Sequence, residues 1–270
     1  MTTGISSFLK YAARRLLGYR LYEAIVGLYW RVREDRDPRY RASMQRISSL
    51  KDKHRGERCF IIGNGPSLEN TDLSFLKNEV TFGTNRIYLL FDKIGFTTTY
   101  YVSVNSLVIE QCAHDIVSLP CPKFIGWNSR HLIDFTADMM FFRSRIRPTF
   151  FTDLTKGVWE GATVTYVAMQ IAYYLGFRNV ILVGVDHSFT TQGKPHTVVE
   201  SQGDDPNHFA RKYFGKRFRW QLPDLECSEL AYRMAKNQFE SAGGEIVDAT
   251  VGGKLQVFRK VDYQALFTEQ

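Results

Sequence analysis

Cys-Phe-Ile-Ile-Gly-Asn-Gly-Pro-Ser-Leu, residues 59–68, is the stretch on which the fold turns. The apolar run Cys59–Ile62 predicts a buried strand. It breaks into Gly63-Asn64-Gly65-Pro66, where glycine permits φ > 0 and lets a ligand approach the bare backbone. Ser67 is placed to cap a short following helix and leave amide N–H groups aimed at an anion. In an open α/β sheet such a loop lines the crevice at the carboxyl ends of the strands. A plain strand-to-helix turn is the alternative; Asn64, a polar group between two glycines, favours a ligand loop. The stretch lacks the Gly-Lys-Ser/Thr of a Walker loop. It also lacks the third glycine of the dinucleotide fingerprint, and Pro66 interrupts it.

Working outward, 270 residues of which 44% are hydrophobic suffice for one large core, with or without an appendage. A net charge of +7 suits an anionic small molecule or an acidic membrane surface as well as nucleic acid, so where the charge lies decides. Cys59, Cys112, Cys121 and Cys227 form no CxxC and no metal-ligand spacing, which predicts reduced thiols, no metal centre and a cytoplasmic setting. Lys10, Arg14 and Arg15 interrupt the early apolar stretch before any cleavage site, and no run approaches the roughly 18–20 apolar residues of a membrane span.

Residues 5–34 place Phe8, Leu16, Leu21, Ile25 and Leu28 at helical spacing among Lys10, Arg14, Arg20, Arg31 and Arg33. This basic amphipathic helix suits the inner face of a membrane, as a peripheral contact, equally with packing on the main domain or on a second copy in a homo-oligomer. Residues 34–58 are charge-dense and read as a connector. The expected division is therefore a helical segment and connector over 1–54 and a catalytic domain over 55–270.

Within that domain four apolar runs each end in asparagine: Asn64, Asn85 after Glu79–Gly83, Asn105 (with Ser106) after Thr99–Val104, and Asn128 after Lys123–Trp127. If the strands are parallel, the amides gather along one sheet edge, a set of neutral donors and acceptors suited to a base, ribose or sugar. Tyr166–Leu175 predicts a helix ending at Gly176, and Val180–Asp186 a central parallel strand with Asp186-His187 at its carboxyl end. The fold class expected is α/β, Rossmann-like and doubly wound, with a mostly parallel sheet. Residues 187–223 read as a long lid whose Arg211, Lys212 and Arg217 would clamp phosphate, a roleless loop being the alternative. Asp224–Ser241 is a capped amphipathic helix before a last strand, Glu245–Thr250.

Several blocks carry a resemblance: Ile-Ile-Gly-Asn-Gly-Pro-Ser-Leu (61–68), Thr-Asn-Arg-Ile-Tyr (84–88), Ala-Tyr-Tyr-Leu-Gly-Phe (172–177), Val-Gly-Val-Asp-His-Ser-Phe (183–189) and Pro-Asn-His-Phe (206–209). Over about residues 55–265 the chain resembles the 6-hydroxymethylpterin diphosphokinase MptE-like and motility accessory factor domain family. It is more distantly similar to bacterial sialyltransferases that use CMP-sialic acid. That likeness implies that Asn64, Asn85, Asn105 and the Thr163 region hold a nucleotide. Lys212 stands near the place of the sialyltransferases' catalytic histidine, and His187 and Ser188 replace their two tyrosines. The nucleotide half of the site thus carries over better than the acceptor half.

The function expected is a glycosyltransferase of surface polysaccharide or glycoconjugate assembly. Its donor would be a nucleotide-activated sugar, such as a CMP-nonulosonate, and its acceptor a glycan or lipid-linked molecule. His208 or His187 would be the general base, with Asp186 at the crevice, because imidazole titrates near neutral pH. Gly63, Asn64, Gly65, Ser67, Asn85, Asn105, Ser106 and Thr163 would hold the nucleotide. The alternatives are a diphosphokinase binding ATP with Mg²⁺ through Asp186 and Asp205, and a nucleotide-binding module without catalysis. Nucleic acid is the least expected partner, since the charge concentrates in one helix and one loop.

Overall fold

A computed structural model describes residues 34–191 and 193–268 of the chain. The chain divides into two compact units, residues 1–42 and 43–270. The amphipathic segment expected over 5–34 lies, but for Glu34, outside the described residues. The stretch expected as a connector holds helix α1 (Pro38–Ser49), with proline at the first turn where its missing N–H costs nothing. Residues 43–54 belong to the second unit. Ile47 is fully buried in its core, and Asp52 N and His54 N donate to Tyr174 O (3.1 Å) and Leu175 O (2.8 Å).

The second unit is built on strands β1 (Arg58–Ile62), β2 (Val80–Thr84), β3 (Tyr100–Ser103), β4 (Lys123–Gly126) and β5 (Met139–Phe142). Between them lie α2 (Phe91–Ile94), α3 (Ser106–Gln111) and α4 (Ala113–Ser118). A short pair, β6 (Ser144–Arg145) and β7 (Val158–Trp159), precedes α5 (Val164–Tyr174) and β8 (Asn179–Val183). Then come β9 (Val198–Glu200), β10 (Arg219–Gln221), α6 (Leu225–Ser241), β11 (Glu245–Asp248) and β12 (Arg259–Lys260).

The main sheet runs β12-β11-β8-β1-β2-β3-β4-β5, and every neighbouring pair is parallel. This is the doubly wound α/β arrangement that the sequence predicts. Its inner strands are buried along almost their whole length because both faces are covered. Helix α5 packs on β1, β2 and β3, and α6 on α5 and β11. From β1 the chain steps outward to β5, then returns through α5 to lay β8 on the other side of β1. The strand order therefore reverses between β1 and β8, the place where such sheets open a crevice.

Two features depart from the sequence reading. Residues 187–223 are not uniformly irregular: β9 and β10 form an antiparallel hairpin, fastened to α3 by Arg219 N to Gln111 Oε1 and Gln111 Nε2 to Arg219 O (both 2.8 Å). Lys123, expected as an ordinary strand residue, is fully buried and ion-paired with Asp138, its Nζ also donating to Cys121 O. A buried ammonium needs such partners to offset its desolvation.

Candidate active site

At the reversal point the glycines serve the backbone. Gly63 N donates to Val183 O (2.8 Å) and Gly65 N to Gly184 O (2.9 Å), carrying the β1–β8 ladder past the strand ends. A Cβ on Gly63 would stand 2.3 Å from Gly184 O, and one on Gly65 only 1.7 Å from Asp186 Oδ2. Ser67 N and Ser67 Oγ donate to the two oxygens of Asp186 (3.0 and 2.7 Å), and Leu68 N returns to Gly65 O. The amides expected to face an anion are thus satisfied within the protein. Gly63, Gly65, Ser67 and Asp186 form a hydrogen-bonded crevice floor, in which the N–H groups of Gly63, Gly65, Ser67 and Leu68 are taken. Burial pushes the Asp186 carboxyl above its ordinary range, against the pull of the Ser67 hydrogen bonds. Both Asp186 oxygens are thus engaged by Ser67.

The asparagines stand at the carboxyl ends of adjacent parallel strands, as expected, but each also has an architectural task. Asn64 Nδ2 donates to Thr84 O and Oγ1 (3.0 and 2.8 Å), clamping the β1 loop to β2; its buried Oδ1 has no partner among the described residues. Asn85 takes the left-handed conformation (φ 49°), tolerated by asparagine, and accepts from Ser103 Oγ. Asn105 Oδ1 caps α3 by accepting from Leu107 N and Val108 N.

Two adjoining cavities open along this edge. The smaller, of about 160 Å³, is lined by residues 63–65, Thr163–Thr165, Asp186–Phe189 and His208. The larger, of about 680 Å³, is lined by Asn85, Asn105, Ser106, Asn128, Thr163, His208 and aromatic rings. A volume of that size falls in the range of small-molecule sites. Thr163 borders both and caps α5, its Oγ1 accepting from Thr165 N (3.3 Å). The amino-terminal end of α5, with its partial positive charge, therefore faces the crevice.

His208 also borders both cavities. Its Nδ1 is bonded to Asp205 Oδ2 (2.8 Å), its ring stacks flat on Tyr213 (centroids 4.0 Å apart), and the side chain is only 13% exposed. Asp205 is buried and also accepts from Asn207 N (2.9 Å), while Phe209 N donates to Asn64 O (3.0 Å), docking this segment on the glycine loop. Asp205 thereby fixes one ring nitrogen as the donor and leaves Nε2 as the basic one. His187, with φ 54°, bonds through Nε2 to Glu229 (3.2 Å) and packs beside Tyr232. Its Nε2 is therefore engaged where that of His208 is open. Arg211, Lys212 and Arg217 are exposed and line neither cavity. Sequence reasoning missed the pairing of Asp205 with His208, although the i, i+3 spacing in Asp-Pro-Asn-His was there to be read. It missed Glu229 and Tyr232 altogether.

Among known proteins, the family described as 6-hydroxymethylpterin diphosphokinase MptE-like matches residues 39–192, more than half of the chain. No curated protein matches it. A solved structure, the MAf glycosyltransferase from Magnetospirillum magneticum AMB-1, superposes with a TM-score of 0.48 at 14% identity, covering 84% of this chain. This chain spans 39% of the length of that one. No helix among the described residues is long and apolar enough to cross a membrane.

Proposed function

The chain belongs to the 6-hydroxymethylpterin diphosphokinase MptE-like family, and from there we propose that it is a transferase that takes a nucleotide-activated sugar and passes the glycosyl group to a hydroxyl. The observation that carries this reading is the Asp205–His208 pair at the junction of the two cavities. His208 Nε2 takes the proton of an acceptor hydroxyl as its oxygen attacks the anomeric carbon. The bond from that carbon to the phosphate oxygen breaks, and the nucleotide leaves with the electron pair. Asp205 stabilises the imidazolium that forms, and the start of α5 with Thr163 faces the departing phosphate. Neutral amides and hydroxyls on the larger cavity's wall, from Asn85, Asn105, Ser106 and Asn128, suit a sugar better than a triphosphate.

The family's description favours a second reading, transfer of diphosphate from ATP–Mg²⁺ to a hydroxymethyl acceptor, again with His208 as base. The carboxylates available for Mg²⁺ fit it poorly. Asp186 has both oxygens on Ser67, and Asp205 has its two on Asn207 N and His208.

A thermal-shift series with CMP, UDP, GDP and ATP, each with and without Mg²⁺, separates the readings. A nucleotide at about a hundred times its Kd adds about 2.7 kcal/mol of stability, a shift easily read. Stabilisation by CMP, UDP or GDP without metal is expected; stabilisation by ATP–Mg²⁺ alone would overturn the glycosyl reading.

A further inference from the structure

The larger cavity carries a carboxyl that the transfer above leaves unused. Glu160 follows β7 and lines that cavity beside Trp159, facing the same space as Asn85, Asn105 and Trp220. One of its oxygens, Oε1, accepts from the Ser144 hydroxyl, and Oε2 has no hydrogen bond to the described residues. The other carboxylate on this cavity, Asp224, is committed elsewhere: it caps α6 by accepting from Cys227 N (2.9 Å) and pairs with His196 Nε2 (3.3 Å).

The backbone holds Glu160 in the wall. Gly161 (φ 55°) and Ala162 (φ 58°) are both left-handed before Thr163 begins α5. A Cβ on Gly161 would come within 2.5 Å of Ala231 Cβ and 2.7 Å of the Tyr166 ring, so this turn is pressed against α5 and α6. Left-handed backbone at the non-glycine Ala162 costs about 1–2 kcal/mol, which the surrounding packing must offset. Burial also pushes the Glu160 carboxyl above its ordinary range, as expected for a group set into a cavity wall.

Once ionised, a carboxyl so placed accepts hydrogen bonds from hydroxyls and repels a second anion, while Arg145 on the same wall is held through Nε on Lys156 O; the neighbouring indoles give flat faces against which a sugar ring can lie. We infer that the larger cavity is an acceptor subsite for a neutral sugar, one without acidic substituents, and that Glu160 reads its hydroxyls. This deepens the transfer reading above and rests on it.

The test is a binding titration of the full chain, followed by tryptophan fluorescence and saturation-transfer NMR. Methyl glycosides of glucose, galactose, mannose and N-acetylglucosamine are set against methyl glucuronide and methyl galacturonide. The wild type is expected to bind at least one neutral glycoside about tenfold or more tightly than its uronide, a difference of about 1.4 kcal/mol. Glu160→Gln keeps the neutral glycoside within about threefold and brings the ratio close to one, because the amide still bonds hydroxyls and no longer repels the acid. Glu160→Asp, which withdraws the carboxylate by one methylene, weakens the neutral glycoside while still excluding the uronide. Equal binding of both classes, binding of neither, or an unchanged ratio in Glu160→Gln overturns the proposal. The nucleotide shift is read in the same samples: an intact shift with a failed sugar ratio removes the acceptor subsite alone, and loss of both removes the parent reading.

Discussion

The claim that Asp186 fastens the glycine loop, rather than reacting, makes a quantitative prediction for Gly65→Ala. Gly65 has φ −70° and ψ 159°, so alanine meets no backbone penalty there; its tightest conflict is with Asp186, whose Oδ2 would lie 1.7 Å from the new Cβ. The carboxylate must swing away and surrender both Ser67 hydrogen bonds. Hydrogen bonds to a charged group contribute about 1.5–3 kcal/mol each. The raised Asp186 carboxyl shows that burial already offsets part of that gain, so the low end applies, about 3 kcal/mol for the two. Replacing glycine returns about 0.4–1 kcal/mol through the unfolded chain, leaving a net loss of about 2 kcal/mol. In Asp186→Ala the same two bonds are gone beforehand and only the contact with the residue-186 Cβ (2.9 Å) remains, so adding Gly65→Ala should cost much less than it does in the wild type. Urea denaturation of the four proteins, followed by circular dichroism, gives the coupling energy of the cycle directly. Additive losses, with a coupling below about 0.5 kcal/mol, would refute the argument.

Three further outcomes are expected. His208→Ala should lower the rate of nucleotide release about 10²–10⁴-fold while leaving nucleotide affinity within about twofold, and Asp205→Asn should fall between; an unchanged rate would take His208 out of the chemistry. For Glu160 the sign follows from its raised carboxyl: the folded chain holds a proton that the unfolded chain has released above about pH 4.3, so this group's contribution declines as pH rises through the folded value. Urea midpoints should therefore show Glu160→Gln gaining on the wild type between about pH 4 and pH 7, and a constant difference would contradict the burial argument. Desolvation pushes all four thiols upward, but Cys59, Cys112 and Cys121 are buried whereas Cys227 is only partly buried, on the larger cavity. A thiol reagent at pH 8 should label Cys227 first in the native protein, and early labelling of any other would show that the core opens more readily than its packing implies.

The strands were legible because parallel strands covered on both faces leave unbroken apolar runs. Val180-Ile-Leu-Val and Cys59-Phe-Ile-Ile could hardly be anything else, and Asp224 and Gly176 marked helix ends by their own chemistry. Met139–Phe142 carried the same signal in four residues and was passed over, as was α1, whose charged residues resemble a linker until Ile47 is seen in the core. The site was half legible. The asparagines fall on one edge because the strands are parallel, which the pattern implied. That the loop amides are already taken was not legible, since their acceptors, Val183 and Gly184, lie about 120 residues away and become neighbours only across the sheet. That Arg211, Lys212 and Arg217 are exposed was not legible for a related reason: composition reports charge, and only the fold of the segment decides which way it faces.

The reversal of strand order also bears on how the chain is made. β1 is flanked by β2 and by β8, and β8 leaves the ribosome more than a hundred residues after β1. Throughout that interval one whole side of Cys-Phe-Ile-Ile stands as a bare apolar edge, the kind of surface that recruits stray strands. A nascent chain halted anywhere between β5 and β8 should therefore be a strong client for chaperones, and release of that client should coincide with emergence of Asn179–Val183.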